Sequence, residues 1–158
     1  PRKKELGARI LSTLEKLHLT IKKLNLKIID NSKYYDLAHN LGIPEKGSSN
    51  LKEQLFGLEA NFDELNAIDF KKGCYVGQEN TARMKLKNKL RKRLLAIKTD
   101  GDVEVGEDLN FGEIKIGKVL INKPHSFALV KLFDPDFKDF KDKELNCGKV
   151  KAKIINSY

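Results

Sequence analysis

The chain has 158 residues, with no tryptophan, one methionine, two cysteines and four prolines. The two cysteines, Cys74 and Cys147, lie far apart and form no C-x-x-C, which excludes a disulfide framework. The three histidines (His18, His39, His125) are scattered, which excludes a zinc knuckle, and no metal centre is expected. No apolar run approaches the roughly 18–20 residues of a membrane span. No apolar h-region follows Pro1-Arg2-Lys3-Lys4, so a secretory leader is not expected. Without a starting Met, the chain reads as a domain or a trimmed chain. There is no Walker loop, G-x-G-x-x-G, serine elbow or H-E-x-x-H. A reducing compartment is the default, cytoplasmic in a bacterium and the mitochondrial matrix in a eukaryote.

Positive charge is what the chain has in excess, 31 basic against 22 acidic residues. Residues 1–70 carry 11 basic and 10 acidic side chains, and residues 99–158 carry 10 and 11. Residues 71–98 carry 10 basic residues and a single acid, Glu79. The middle of the chain therefore holds the net charge of +9, and its local field attracts anions.

The N-terminal stretch is ambiguous. Leu11, Leu14, Leu17 and Leu24 can form a helical face, while residues 17–21 alternate like a strand. Leu26-Lys27-Ile28-Ile29 is a short strand candidate. Asp30, Asn31 and Ser32 are N-cap residue types, and Tyr34, Tyr35, Leu37, Ala38 and Leu41 follow at helical spacing. Gly42 and Pro44 close that helix, expected over 32–41. Residues 45–50 read as loop, and 78–84 as a short helix. From about residue 87 the pattern becomes β. Leu90–Thr99 ends at the turn dipeptide Asp100-Gly101. Segments 113–121, 127–133 and 149–155 are further strand candidates. Short strands at this spacing predict a small barrel or sandwich over 87–158.

The most unusual string is Asp69-Phe70-Lys71-Lys72-Gly73-Cys74-Tyr75-Val76-Gly77-Gln78-Glu79. A cysteine beside two lysines, near a helix start, has the setting that lowers a thiol pKa. The alternative is a structural turn around an inert, buried cysteine. A second string follows, in which every odd position from Arg83 to Arg93 is basic. Period two puts those cations on one strand face. It reads either as an anion-binding face or as a solvated edge. No aromatic interleaves the run, which disfavours a nucleic-acid partner.

Lys72-Gly73-Cys74-Tyr75-Val76-Gly77-Gln78-Glu79 resembles the K-G-C-Y-x-G-Q-E motif of the YgfZ-like folate-binding proteins, relatives of the glycine-cleavage T-protein, an aminomethyltransferase. Leu58–Asn66 resembles the E-A-N-x-D-x-L stretch that precedes the motif. Arg83-Met84 resembles the arginine that follows it, and Leu41-Gly42-Ile43-Pro44 the family's G-I-P turn. Pro1-Arg2 with Leu6-Gly7-Ala8-Arg9 resembles its P-R-x-x-x-L-G-x-R strand. Where the family offers Arg before G-I-P, this chain has His39-Asn40.

The resemblance implies an α+β chain: the C-terminal part of an aminomethyltransferase-like folate-binding fold over 1–70, the motif loop and a short helix over 71–86, and a small antiparallel β-barrel over 87–158. It implies tetrahydrofolate or a derivative as cofactor, in a pocket shared with a missing N-terminal half. Cys74 would be the functional thiol in a loop formed by Lys72, Gly73, Tyr75, Gly77, Gln78 and Glu79. Arg83 and Glu59 are candidate folate contacts. The T-protein proper lacks K-G-C-Y, so Cys74 favours the iron–sulfur maintenance branch, whose partners are iron–sulfur client or assembly proteins, tRNA-modifying enzymes among the clients. An aminomethyltransferase is the second reading and an RNA-binding module through residues 83–93 the third. Whether the chain turns over a substrate is left open by its sequence.

Overall fold

The structure, a computed structural model, describes residues 2–74, 76–86 and 90–156. Its C-terminal part is a closed antiparallel barrel of six strands: β1 (Lys92–Thr99), β2 (Asp108–Phe111), β3 (Ile114–Ile121), β4 (Phe127–Lys131), β5 (Leu145–Cys147) and β6 (Val150–Ile154). Around the barrel the order is β1-β4-β3-β2-β5-β6. Closure removes the unpaired edges an open sheet of such short strands would expose. The interior is filled by Leu95, Ile97, Leu109, Ile116, Val119, Val130, Leu145 and Ile154 among others. The four-residue helix Phe137–Phe140, capped by the Asp136 carboxylate, drives Phe140 into this core.

β1 is buried on both faces, since Leu94, Leu95, Ala96 and Ile97 are all inaccessible. Leu95 and Ile97 face the barrel core. Leu94 and Ala96 join Leu120, Ile121 and Phe127 in a second, outer cluster. Leu51, Leu55 and Ile155 pack against that cluster, so residues 48–61 cover part of the barrel's outer wall. This doubling explains why β1 reads as a continuous aliphatic run rather than an alternating one.

Among the described residues upstream lie the α-helices α1 (Leu14–Lys23), α2 (Ser32–Asn40) and α3 (Gln78–Leu86). Helix α2 matches the expected 32–41 span. Ser32 N–H donates to the Asp30 carboxylate at its start. At its end Gly42 N–H donates to His39 O and Ile43 N–H to Ala38 O, both at 2.8 Å, with Gly42 at φ +74°. That bond pair is a Schellman motif, and its apolar partners Ala38 and Ile43 are both buried.

Three local expectations need correction. Residues 26–29 form no strand, because no described segment pairs with them. The basic alternation from Arg83 does not lie on one strand. Residues 83–86 belong to α3 and β1 begins at Lys92, while 87–89 lie outside the described residues. Asp100-Gly101 ends β1 without closing a hairpin, since β1 pairs with β4 and β6. The Asp100 carboxylate instead accepts from Lys151 N–H.

The ambiguity at residues 11–24 resolves as helix α1, with the Thr13 hydroxyl capping its start. None of residues 7–33 is buried. Leu11 is 94 % exposed and Ile28 74 % exposed. The N-terminal segment thus carries an open apolar surface.

Candidate functional site

The motif loop precedes α3, and its cysteine is exposed. Lys71 N–H donates to the Asp69 carboxylate at 2.8 Å, forming an Asx turn just before the motif. Gly77 has φ +84°, and its carbonyl accepts from the Thr81 hydroxyl. Gln78 opens α3, and Glu79 in its first turn pairs with Arg83 at 3.0 Å, four residues on. Lys72, Gly73 and Cys74 are all exposed. Tyr75 lies outside the described residues. An accessible cysteine is open to alkylation, oxidation and thiol exchange. Cys147 is the opposite case. It is buried on β5, and desolvation, with Glu107 and Asp108 nearby, pushes its thiol up to about 11. The two cysteines are unpaired, as expected.

Residues 58–66 tie the loop's helix to the barrel. Lys85 of α3 pairs with Asp63, and its ammonium sits 5.3 Å from the Phe70 ring centroid. One residue along, Glu64 pairs with Arg93 at the start of β1 at 2.6 Å. Deeper in, Leu94 N–H donates to Glu59 O at 2.8 Å, and Asn61 Nδ2 donates to Leu94 O at 2.7 Å. Asn61 is fully buried at φ +62°, a conformation asparagine tolerates better than most residues. The E-A-N stretch therefore completes the backbone hydrogen bonding of β1. The Glu59 carboxylate accepts from Phe56 N–H at 3.0 Å, within its own turn.

Two further clusters bring together residues far apart in the chain, Arg2 and Arg9 of the P-R-x-x-x-L-G-x-R match and His39 among them. Glu45, one residue past the G-I-P turn, accepts from Arg2 at 3.2 Å and from Tyr34 OH at 3.0 Å. Arg9 donates to the same Tyr34 oxygen at 3.2 Å. These residues line a cavity of about 620 Å³ with Leu6, Gly7 and Ala8. The second cluster links α2 to the barrel. His39 Nε2 lies 3.0 Å from Ser126 O, and His125 Nε2 lies 2.8 Å from the Asp36 carboxylate. The two imidazoles are 4.9 Å apart, and burial holds His39 below its ordinary pKa.

No protein-family model matches the chain. Among its relatives are mitochondrial iron–sulfur cluster assembly factors. Over 64 residues it is 48 % identical to the iron–sulfur cluster assembly factor IBA57 homolog, mitochondrial, of Neurospora crassa, covering 40 % of this chain and 15 % of that protein. The chain is a homologue of part of the IBA57 factors. The Pyricularia oryzae counterpart is 37 % identical over 95 residues, 60 % of this chain and 24 % of its own length. IBA57 of Mus musculus is 38 % identical over 72 residues, 46 % of this chain and 20 % of its own. The chain thus spans about a quarter or less of the relatives it matches. The IBA57 factors sit within the YgfZ-like, T-protein-related family that the K-G-C-Y motif indicated, and the partial coverage fits a C-terminal half. The relatives are mitochondrial by name, and no described helix is long and apolar enough to cross a membrane.

Among the residues expected to act together, Lys72, Gly73, Cys74, Gly77, Gln78 and Glu79 fall in one exposed loop and helix start. Arg83 joins them through Glu79. Glu59 does not, because its carboxylate closes a turn and its carbonyl serves β1.

Proposed function

We propose that this chain is part of a folate-binding accessory protein of iron–sulfur cluster assembly, with Cys74 as its functional thiol. The observation that carries the reading is the exposed Cys74 inside K-G-C-Y-V-G-Q-E, in a chain homologous to iron–sulfur assembly factors. Residues 1–70 are read as the end of an aminomethyltransferase-like region. The exposed apolar side chains of residues 10–29 are the surface that the N-terminal half would cover. Partners are iron–sulfur client or assembly proteins, and the working compartment is reducing.

The expected folate contacts divide. Glu59 does not fit, being committed to its own turn. Arg83 fits, because its partner Glu79 is exposed and such a pair is worth only about 0.3–0.5 kcal/mol. A glutamate-tail carboxylate exchanges with Glu79 at that small cost. Tetrahydrofolate would supply one-carbon chemistry when bound, and this chain's share is to hold the anionic end and present the thiol.

The test is complementation. A host lacking its own assembly factor receives the full-length protein with Cys74 or with Cys74→Ala, and client iron–sulfur enzyme activity is measured. Loss of activity with the soluble Ala variant is expected. Rescue equal to wild type removes Cys74 from the function.

A further inference from the structure

Three cations of the basic segment have a different setting from the rest. Arg83, Lys85 and Arg93 each pair with a carboxylate, from Glu79, Asp63 and Glu64. No ion pair among the described residues uses Arg91, Lys92 or Lys131. Yet Lys92 and Lys131 are direct cross-strand partners in the β1–β4 ladder. Like charges opposite one another destabilise a sheet unless an anion sits between them. Arg91 is held beside them, its carbonyl accepting from Leu132 N–H at 2.9 Å. The next residue of that strand exit, Phe133, is 60 % exposed.

Arg91, Lys92, Lys131, Phe133 and Asp134 line one cavity of about 490 Å³, within the size range of small-ligand sites. Three cations stand against one carboxylate. In sequence no aromatic interrupts the basic run; in the fold, β4 delivers one to its side. Cations for phosphates and an exposed ring for a planar base are the two elements of nucleotide and single-strand recognition. We propose that this groove binds a nucleotide unit, phosphates on Arg91, Lys92 and Lys131 and base stacked on Phe133. The unit is either a free nucleotide or one link of a single strand.

The test measures fluorescence anisotropy of the purified chain with two probes, a labelled ATP and a labelled ten-nucleotide oligoadenylate. Binding to both identifies a free-nucleotide site, and binding to the oligomer alone identifies a strand site; either supports the proposal. Phe133→Ala, at an exposed position, is expected to weaken binding about tenfold. The Lys92→Ala/Lys131→Ala pair removes a like-charge contact and so spares the fold. It is expected to weaken binding and flatten the oligomer's log–log salt slope by about 1.4. Lys149→Ala/Lys153→Ala, with the same charge change on the other side of the barrel's sequence, is expected to leave binding near wild type. The proposal is overturned if neither probe binds at low salt, if Phe133→Ala binds as wild type, or if the control pair loses as much. It is equally overturned if a polyglutamate peptide of matched charge displaces the probe as well as unlabelled nucleotide does.

Discussion

Asn61 offers the sharpest test of how the motif region is built onto the barrel. Its amide donates to Leu94 O at 2.7 Å with the side chain wholly inaccessible, and its backbone sits at φ +62°. Removing the donor leaves a buried carbonyl unsatisfied, a cost of about 1–3 kcal/mol. Placing a non-glycine, non-Asn residue in the left-handed region adds about 1 kcal/mol. Asn61→Ala is therefore expected to lose about 2–4 kcal/mol. Asn61→Gly incurs the first cost without the second and is expected to be the milder change. Asn61→Asp replaces a donor by a buried carboxylate facing a carbonyl oxygen, and is expected to be worst at neutral pH. Urea unfolding of the purified variants supplies the numbers, with each kcal/mol also moving Tm by about 2–4 °C in a chain of this size. An Ala variant as stable as the Gly variant would refute the backbone part of this reasoning. A Gly variant within 0.5 kcal/mol of wild type would refute the hydrogen-bond part.

Other consequences follow from single residues. With thiol-specific alkylation of the native chain, Cys74 is expected to react and Cys147 only on unfolding; native labelling of Cys147 would contradict its burial. The Cys147 thiol is neutral in the fold up to about pH 11, whereas unfolded it ionises near 8.5. Its stabilising share is thus full below about pH 8.5 and is lost as pH rises to 11, by about 3 kcal/mol in all. The difference between wild type and Cys147→Ala across that window isolates it, and parallel pH curves would exclude it. Burial lowers the His39 pKa, so the unfolded chain binds the proton more readily. Stability is then expected to fall as pH drops below about 6.5, and a His39 NMR titration at or above the ordinary histidine value would contradict this. A Cβ at Gly117 would meet Leu129 O at 2.8 Å and Val130 Cα at 3.2 Å. Gly117→Ala is accordingly expected to cost about 1–3 kcal/mol of strain, read by the same urea assay.

Much of the architecture was legible because local chemistry and tertiary context agree. The helical spacing to Leu41 and the Gly42 stop both reappear in α2, which begins after Asn31 with Ser32 N–H on the Asp30 carboxylate. The short aliphatic strands after residue 90 close as a barrel. The basic run misled because charge alternation carries less weight than apolar periodicity. Met84, Leu86 and Leu90 do not form a buried face, and helix α3 took residues 83–86. The Asp100-Gly101 dipeptide indicated a reversal correctly, but a dipeptide carries no information on which strand pairs next. β1 found β4 and β6, whose partners are set by the whole barrel. The Glu45–Tyr34–Arg9 and Asp36–His125–His39 groupings join residues up to 89 positions apart, which spacing along the chain cannot reveal.

The candidate site gains its position from β1. One face of the strand fills the barrel, and the other is sealed by the segment leading into the motif, through the Leu94 hydrogen bonds to Glu59 and Asn61. The same segment grips α3 through Asp63 and Lys85. The barrel thus anchors the segment that leads into the exposed loop carrying Cys74. A thiol carried on a loop can be reached by a protein partner, while the rigidity it needs comes from a core it does not enter. That division explains why the motif's glycines and cysteine make few contacts of their own, and why the buried Asn61 ahead of them has so many.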